Sequence, residues 1–385
     1  MVLPEFRLES YFAIWEFKAR YNLAASDAET LSLPDLLQMA QAADRARWNE
    51  LRLGYIPTEG SDPLRDVISQ TYEQIRVEDV LCFAGAEEGL YCAMHALLSP
   101  DDHAIVVTPN YQSTESVPRS ICEVSGVPLK AEHGWSLDVD DVRAALRPNT
   151  KMLAVNFPNN PTGKILSQTT FRMLVDICAE RGIYLFSDEV YRGIERDPAK
   201  RLPQAADIYD RALSLNVMSK AYGLPGLRIG WIACRDRAVL AHMLKVKHYL
   251  SICNAAPSEV LATIALKARE RILARTRDLT AQNLRKLDSF FARHRDQFEW
   301  YEPDGGCIAY PRYLGTDGVE AFCARLVSEA GVLLLPAPLF RSELGDTPQD
   351  RFRIGYARRG MDEALESFES FLAAAGGFPA RIRNA

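Results

Sequence analysis

The sequence has no Cys-x-x-Cys pair, no Gly-x-Gly-x-x-Gly following a first strand-like run, and no apolar segment near the roughly 20 residues needed to span a bilayer. Its eight cysteines sit mostly inside apolar runs such as "MLVDICAERG". That pattern argues against a disulfide framework or a redox dithiol and leads us to expect reduced, buried thiols in a cytoplasmic protein. The missing glycine fingerprint disfavours a nicotinamide-dependent dehydrogenase. Positive charge is also scarce: 45 Lys and Arg against 51 Asp and Glu leave a formal charge of -6. Without a basic footprint, neither nucleic acid nor anionic lipid is expected as a partner, and any phosphate has to be held by a local site. Cysteines and six histidines lack ligand spacing, so no metal site is expected. The start "MVLPEFRLESYF" has acidic residues and no apolar core, so no signal peptide is expected.

What is present is a long, ordinary globular chain. Its 385 residues exceed what one core usually serves, which favours two domains. Residues 1–50 carry aromatics ("YFAIWEFKARY") and then an amphipathic stretch, "LPDLLQMAQAADRARW". They read as an arm and a helix joining the smaller domain. In residues 51–255, strand-like runs ("DVLCFAG", "HAIVVTP", "KMLAVNFP", "IYLFSDEV", "ALSLNVMS", "RIGWIAC") alternate with helical patterns. Continuous apolar strands between amphipathic helices predict an α/β fold with a mainly parallel sheet covered on both faces. Residues 256–385 begin with one or two long helices and continue into a smaller α+β C-terminal domain.

In such sheets ligands bind beyond the carboxyl ends of the strands, and the candidate functional residues fall there. "CFAGAEEG" ends a strand at Gly85, Ala86 and Glu87, where the free N–H groups of a starting helix can hold a phosphate; an ordinary strand-to-helix turn has the same look. Tyr111, closing "VVTPNY", can stack on a planar ring or simply pack. "NFPNNPTGK", with Asn159 and Asn160, reads as an ordinary turn or as one that aims an asparagine amide at a ligand. Asp188 in "LFSDEVY" is either a helix cap or a carboxylate matched to a buried positive nitrogen, with Tyr191 close behind. In "NVMSKAYGLPGLRIG", Lys220 taken out of water would have a lowered pKa and a nucleophilic amine. Arg228 could clamp a phosphate. Together this inventory fits a phosphorylated aromatic aldehyde with a pyridine nitrogen, which describes pyridoxal phosphate.

"PNNPTG", "SDEVYR" and "SKAYGLPGLRIG" resemble, in order and spacing, the signatures of the fold-type I, class I/II aminotransferases, and the similarity covers essentially the whole chain. The resemblance implies a seven-stranded sheet sandwiched by helices and pyridoxal 5'-phosphate as cofactor. It implies that Lys220 binds the cofactor's aldehyde and shuttles protons. Asp188 would pair with the pyridine nitrogen, Tyr191 and Asn160 with the phenolic oxygen, and Tyr111 would stack on the ring. The phosphate would meet Gly85, the amides of Ala86 and Glu87, Ser219 and Arg228. "LGYIPTEGSDPLR" is similar to a family segment whose tyrosine, here Tyr55, reaches the neighbouring subunit's cofactor, which implies a homodimer with shared sites. Arg353 in "RFRIGYA" matches the clamp for the substrate α-carboxylate, beside Asn160. The implied substrates are an L-amino acid and a 2-oxo acid.

Two departures are visible. Val217 stands where the family commonly has a phosphate-binding serine, and "YNLAASDAET" lacks the usual glycine and proline of the segment lining the substrate pocket. The start "IWEFKARYNLAASDAE" is similar to a divergent branch, some members of which act on arginine-like amino acids as cyclases or oxygen-using deaminases. The leading expectation is transamination. The alternative is oxidation, cyclisation or elimination on the same residues.

Overall fold

The structure, a computed structural model, describes residues 3–374; the outer ends of the first and last expected segments, 1–2 and 375–385, lie outside them. Its centre is a seven-stranded sheet. In chain order the strands are β1 (Val80–Phe83), β2 (His103–Thr108), β3 (Glu123–Pro128), β4 (Thr150–Asn156), β5 (Tyr184–Asp188), β6 (Ala212–Val217) and β7 (Gly230–Ala233). They lie in the order β1-β7-β6-β5-β4-β2-β3. All neighbours are parallel except β7, which runs against both β1 and β6.

Alternation along each strand divides the core between two faces. Ala104, Val106 and Phe186 join the cluster under the helix Ala86–Leu97, while Ile105, Val107 and Leu185 join Phe171 and Leu174 on the other side. Such two-faced burial is why these strands read as continuous apolar runs. β3, at one edge of the sheet, did not: Glu123 is exposed, Ser125 and Gly126 are half-buried, and only Val127 is fully buried, whereas β1 at the other edge is buried throughout. The stretch expected as one amphipathic helix near residue 40 is two, Leu33–Gln38 and Ala42–Asn49.

A second core gathers Leu287, Phe290, Phe291, Phe298, Phe322, Phe352 and Phe368 beneath the helix Arg269–Arg293. Here Phe352–Gly355 is the middle strand of a small antiparallel sheet, and Tyr21–Asn22 pairs with Val332–Leu333. The helix α1 (Arg7–Trp15) is pinned from both sides: the Arg7 N–H donates to Gln112 Oε1 at 3.1 Å and its guanidinium to the Arg341 carbonyl. Among the described residues no helix is long and apolar enough to cross a membrane.

Candidate active site

The candidate positions Gly85, Tyr111, Asn160, Asp188 and Lys220 lie at the carboxyl ends of strands or just past them, and the sheet brings these ends to one side. β1 ends at Phe83, and Gly85 caps the helix α2 (Ala86–Leu97) with no side chain closing its first turn, so the Ala86 and Glu87 amides lack intrahelical acceptors. Gly85 has φ +92, and a Cβ there would stand 2.5 Å from Arg228 Nη2, so the guanidinium lies directly against the glycine. Arg228 itself is held at φ +49, an uncommon conformation for a side-chain-bearing residue. The bond from the Met218 N–H to the Ile229 carbonyl, 2.9 Å, closes the hairpin that carries Ser219 and Arg228. Ser219 Oγ is buried without a partner. Val217 is fully buried in the apolar core and offers nothing polar to this cradle.

β4 and β5 end side by side, with Asn156 opposite Asp188. The Asn156 amide donates to the Asp188 carbonyl at 3.1 Å and its Oδ1 accepts the Asn160 N–H at 2.7 Å, tying the "NNPTG" turn to the aspartate. Burial pushes the Asp188 carboxyl up to about 7, while the Val190 N–H and Lys220 pull the other way. Lys220 follows β6, and its Nζ donates to Ser26 Oγ at 2.8 Å. Burial lowers the Lys220 pKa, opposed by Asp27 and reinforced by Arg353. The Tyr191 hydroxyl donates to the Ser26 carbonyl at 3.0 Å, so a single residue holds both groups. Ser26 went unnoticed in the sequence; the only hint was that its segment departs from the usual pattern.

Arg353 is 1% exposed. Its Nη1 donates to Asn160 Oδ1 at 3.1 Å and its Nη2 to the Ala24 carbonyl at 2.7 Å, whereas Nε is buried without a partner. Asp27 does not serve it, being paired in a fork with Arg358 at 2.7 and 2.8 Å. Tyr111 packs its ring 5.1 Å from Phe6 and donates its hydroxyl to Glu9 at 3.0 Å. Glu9 belongs to α1, a functional neighbour the sequence reading did not single out. Glu16, just past α1, is half-buried, and its carboxyl is raised by burial, with Arg358 and Lys220 acting against Glu9 and Asp27. Tyr55 is not brought to this cluster by its own chain; it is 91% exposed.

These features fit the cofactor expected from the sequence. Two groups that could hold anions, the Gly85–Arg228–Ser219 cradle and Arg353, each contain a buried donor without an acceptor. The Lys220 amine and the Asp188 carboxyl belong to the same strand-end cluster. A buried unpartnered donor is costly unless a ligand completes it.

Residues 20–368 match the family described as aminotransferase class I and II. Capreomycidine synthase of Streptomyces vinaceus is 28% identical over 357 residues, 92% of this chain and 90% of that one. An arginine–pyruvate transaminase of Pseudomonas aeruginosa is 28% identical over 78% of this chain and 77% of its own. The crystal structure of a pyridoxal-phosphate-dependent aminotransferase from Streptococcus suis superposes with a TM-score of 0.90 at 29% identity, covering 99% of this chain and 100% of that one. With strand order, strand-end residues and family match in agreement, this chain belongs to the class I and II aminotransferases and is a pyridoxal 5'-phosphate-dependent aminotransferase.

Proposed function

We propose that the amino donor is an L-amino acid with a cationic side chain and the acceptor a 2-oxo acid, and that the enzyme works as a cytoplasmic homodimer whose active sites are each built from both chains. We further propose a large domain over residues 51–255 that carries the cofactor, with the described parts of 1–50 supplying an arm and helix that join the smaller domain and those of 256–385 an interdomain helix and that domain.

Pyridoxal phosphate supplies an aldehyde that condenses with amines and a pyridine ring that draws electrons from the substrate's α-carbon. The chain supplies position and proton transfer. The cradle of Gly85, Ala86, Glu87, Ser219 and Arg228 holds the phosphate. Asp188 would keep a proton on the ring nitrogen, Tyr191 and Asn160 would hydrogen-bond the phenolic oxygen, and Tyr111 would stack on the ring. Arg353 grips the donor's α-carboxylate by a bidentate pair and so aims its α-hydrogen. Lys220, its pKa lowered by burial, would take that proton at its Nζ and hand it on.

The observation that carries the donor class is the carboxylate of Glu9 on the helix over the site, hydrogen-bonded to Tyr111, with Glu16 further along near Lys220. An acidic roof attracts a side chain of opposite sign and repels the carboxylate of aspartate or glutamate. The likeness to an arginine–pyruvate transaminase supports this. For the dimer, support comes from exposed Leu53, Tyr55, Tyr249, Leu250 and Ile252. For the compartment, it comes from eight unpaired cysteines.

The likeness to capreomycidine synthase favours a second reading, in which the same residues divert the substrate to cyclisation, oxidation or elimination. The test is a donor panel with pyruvate and 2-oxoglutarate, run with and without oxygen and read by mass spectrometry. Arginine, ornithine or lysine consumed with one equivalent of new amino acid supports the proposal. Consumption without an amino-acid product moves the assignment to the second reading, and preference for an acidic or aliphatic donor overturns the donor class.

A further inference from the structure

One buried cation has no part in this chemistry. Lys247 ends the helix α3 (Arg237–Lys247) in the stretch "MLKVKHYL", where a lysine would ordinarily face solvent, yet it is fully buried. Its ammonium donates to two backbone carbonyls, Thr58 at 2.5 Å and Cys82 at 2.7 Å, and lies 5.6 Å from the Phe83 ring centre.

Two carboxylates near Lys247, though not in contact with it, bind the adjoining backbone. Glu259 is 2% exposed and accepts the Ser61 N–H at 2.8 Å and the Asn254 amide at 2.9 Å. Glu88 accepts the Ala84 N–H at 2.6 Å and the Ser251 N–H at 3.0 Å. These bonds join three pieces of chain. Cys82–Ala84 lead into the phosphate cradle. Thr58 and Ser61 belong to the loop that carries Tyr55. Ser251 and Asn254 flank Ile252 in the loop after Tyr249. The first two pieces are pressed together, since a Cβ on Gly60 would stand 2.7 Å from Cys82 Sγ. Among the described residues no other side chain donates to either carbonyl, so an apolar side chain at 247 would leave the buried Cys82 oxygen and the half-buried Thr58 oxygen without this donor.

We propose that Lys247, with Glu88 and Glu259, is a positioning residue that locks the Tyr55 loop to the strand presenting the phosphate cradle. One buried charge thereby sets both this chain's own cradle and the tyrosine it offers to the partner subunit. This rests on the shared-site reading above.

The test is a titration of pyridoxal phosphate onto apoprotein, followed by absorbance, for the wild type, Lys247→Met, Tyr55→Phe and the double variant. Sedimentation velocity and phosphorus NMR of the bound cofactor accompany it. Methionine keeps the length and removes the donor. Lys247→Met is expected to weaken cofactor binding at least about tenfold, the scale of a lost charged hydrogen bond. It should shift the phosphorus resonance and leave the dimer intact. In the Lys247→Met background, Tyr55→Phe should lose most of its own effect, because the loop is already unanchored. Binding by Lys247→Met within about twofold of wild type, or fully independent effects of the two substitutions, overturns the proposal. Tyr55→Phe alone reports on the shared-site reading: unchanged affinity there refutes that reading, whereas a loss there with no loss in Lys247→Met refutes only the clamp. If Lys247→Met does not fold, Glu259→Gln is read in the same way, with unchanged affinity overturning the proposal.

Discussion

Lys220 and Ser26, 194 positions apart, meet amine to hydroxyl at 2.8 Å, and the same serine's carbonyl takes the Tyr191 hydroxyl. A hydroxyl that accepts from an ammonium favours the charged form, against the burial that lowers the Lys220 pKa. Ser26 is thus a brake on the neutral amine. Replacing it by alanine should lower the Lys220 pKa further, so cofactor capture by the apoprotein keeps its rate to more acidic pH. The check is the pH profile of the rate of yellow colour formation with pyridoxal phosphate. A profile unmoved, or moved to higher pH, would refute this role.

Gly85 carries a sharper constraint. Its φ of +92 strains any other residue, and an added methyl would stand 2.5 Å from Arg228 Nη2. Gly85→Ala should therefore displace the guanidinium and weaken pyridoxal phosphate binding by about 10- to 100-fold, a loss on the order of 1–3 kcal/mol. Equilibrium dialysis of the cofactor measures it. Added free phosphate should compete less well with the cofactor in this variant than in the wild type.

Much of this site was legible because chemistry at the end of an apolar strand is conspicuous. Asp188, Lys220, Arg228 and the Gly85 turn each interrupt or follow a run that a parallel sheet buries on both faces. Ser26 was not legible, since it lies in an irregular segment that reaches Lys220 only through tertiary packing. Glu9 was not legible either, because its contact with Tyr111, a residue the sequence did mark, spans 102 positions. Lys247 was hidden differently: its neighbours spell an ordinary charged helix end, and its burial depends on where α3 meets the Thr58 loop. β3 was missed because it is mostly half-buried or exposed, unlike the other edge strand β1, and so carries too few apolar residues to show.

Asp188 makes the stability of the apoprotein depend on pH in a direction that can be worked out. Its carboxyl titrates near 7 when folded and near 4 when unfolded, so the folded form binds more protons between those values. The resulting stability is fully present below about pH 4 and is lost as pH rises through about 7. Relative to Asp188→Asn, the wild-type apoprotein should lose stability between pH 5 and 8, on the order of a few kcal/mol, scaled from the size of the shift. Denaturant melts of both proteins at those pH values give the difference, and a flat difference would show that Asp188 is already charged and paired without cofactor.

Arg353 offers a split between binding and chemistry. Lysine keeps a charge there but loses the fork, and the Asn160 and Ala24 contacts that aim it. Arg353→Lys should raise KM for the amino donor about 10- to 100-fold, in line with one lost bidentate pair, and leave cofactor affinity close to wild type. Initial rates across donor concentration read the first expectation and dialysis the second. Loss of cofactor with unchanged KM would place Arg353 at the wrong end of the site.

The exposure of Tyr55 yields the most decisive test of assembly, because a residue 91% exposed in its own chain has no use there as a cofactor ligand. If it serves the partner, a chain lacking Tyr55 and a chain lacking Lys220 should repair each other. In a two-fold dimer of Tyr55→Ala with Lys220→Ala, one site has both residues and the other has neither. Co-expression with two tags isolates that hybrid. It should bind one cofactor per dimer at wild-type affinity and turn over at about half the wild-type rate per dimer, although each parent dimer is inactive or severely weakened. A hybrid no better than its parents would mean that Tyr55 acts in its own chain or not at all, and the exposed apolar face would then need another partner.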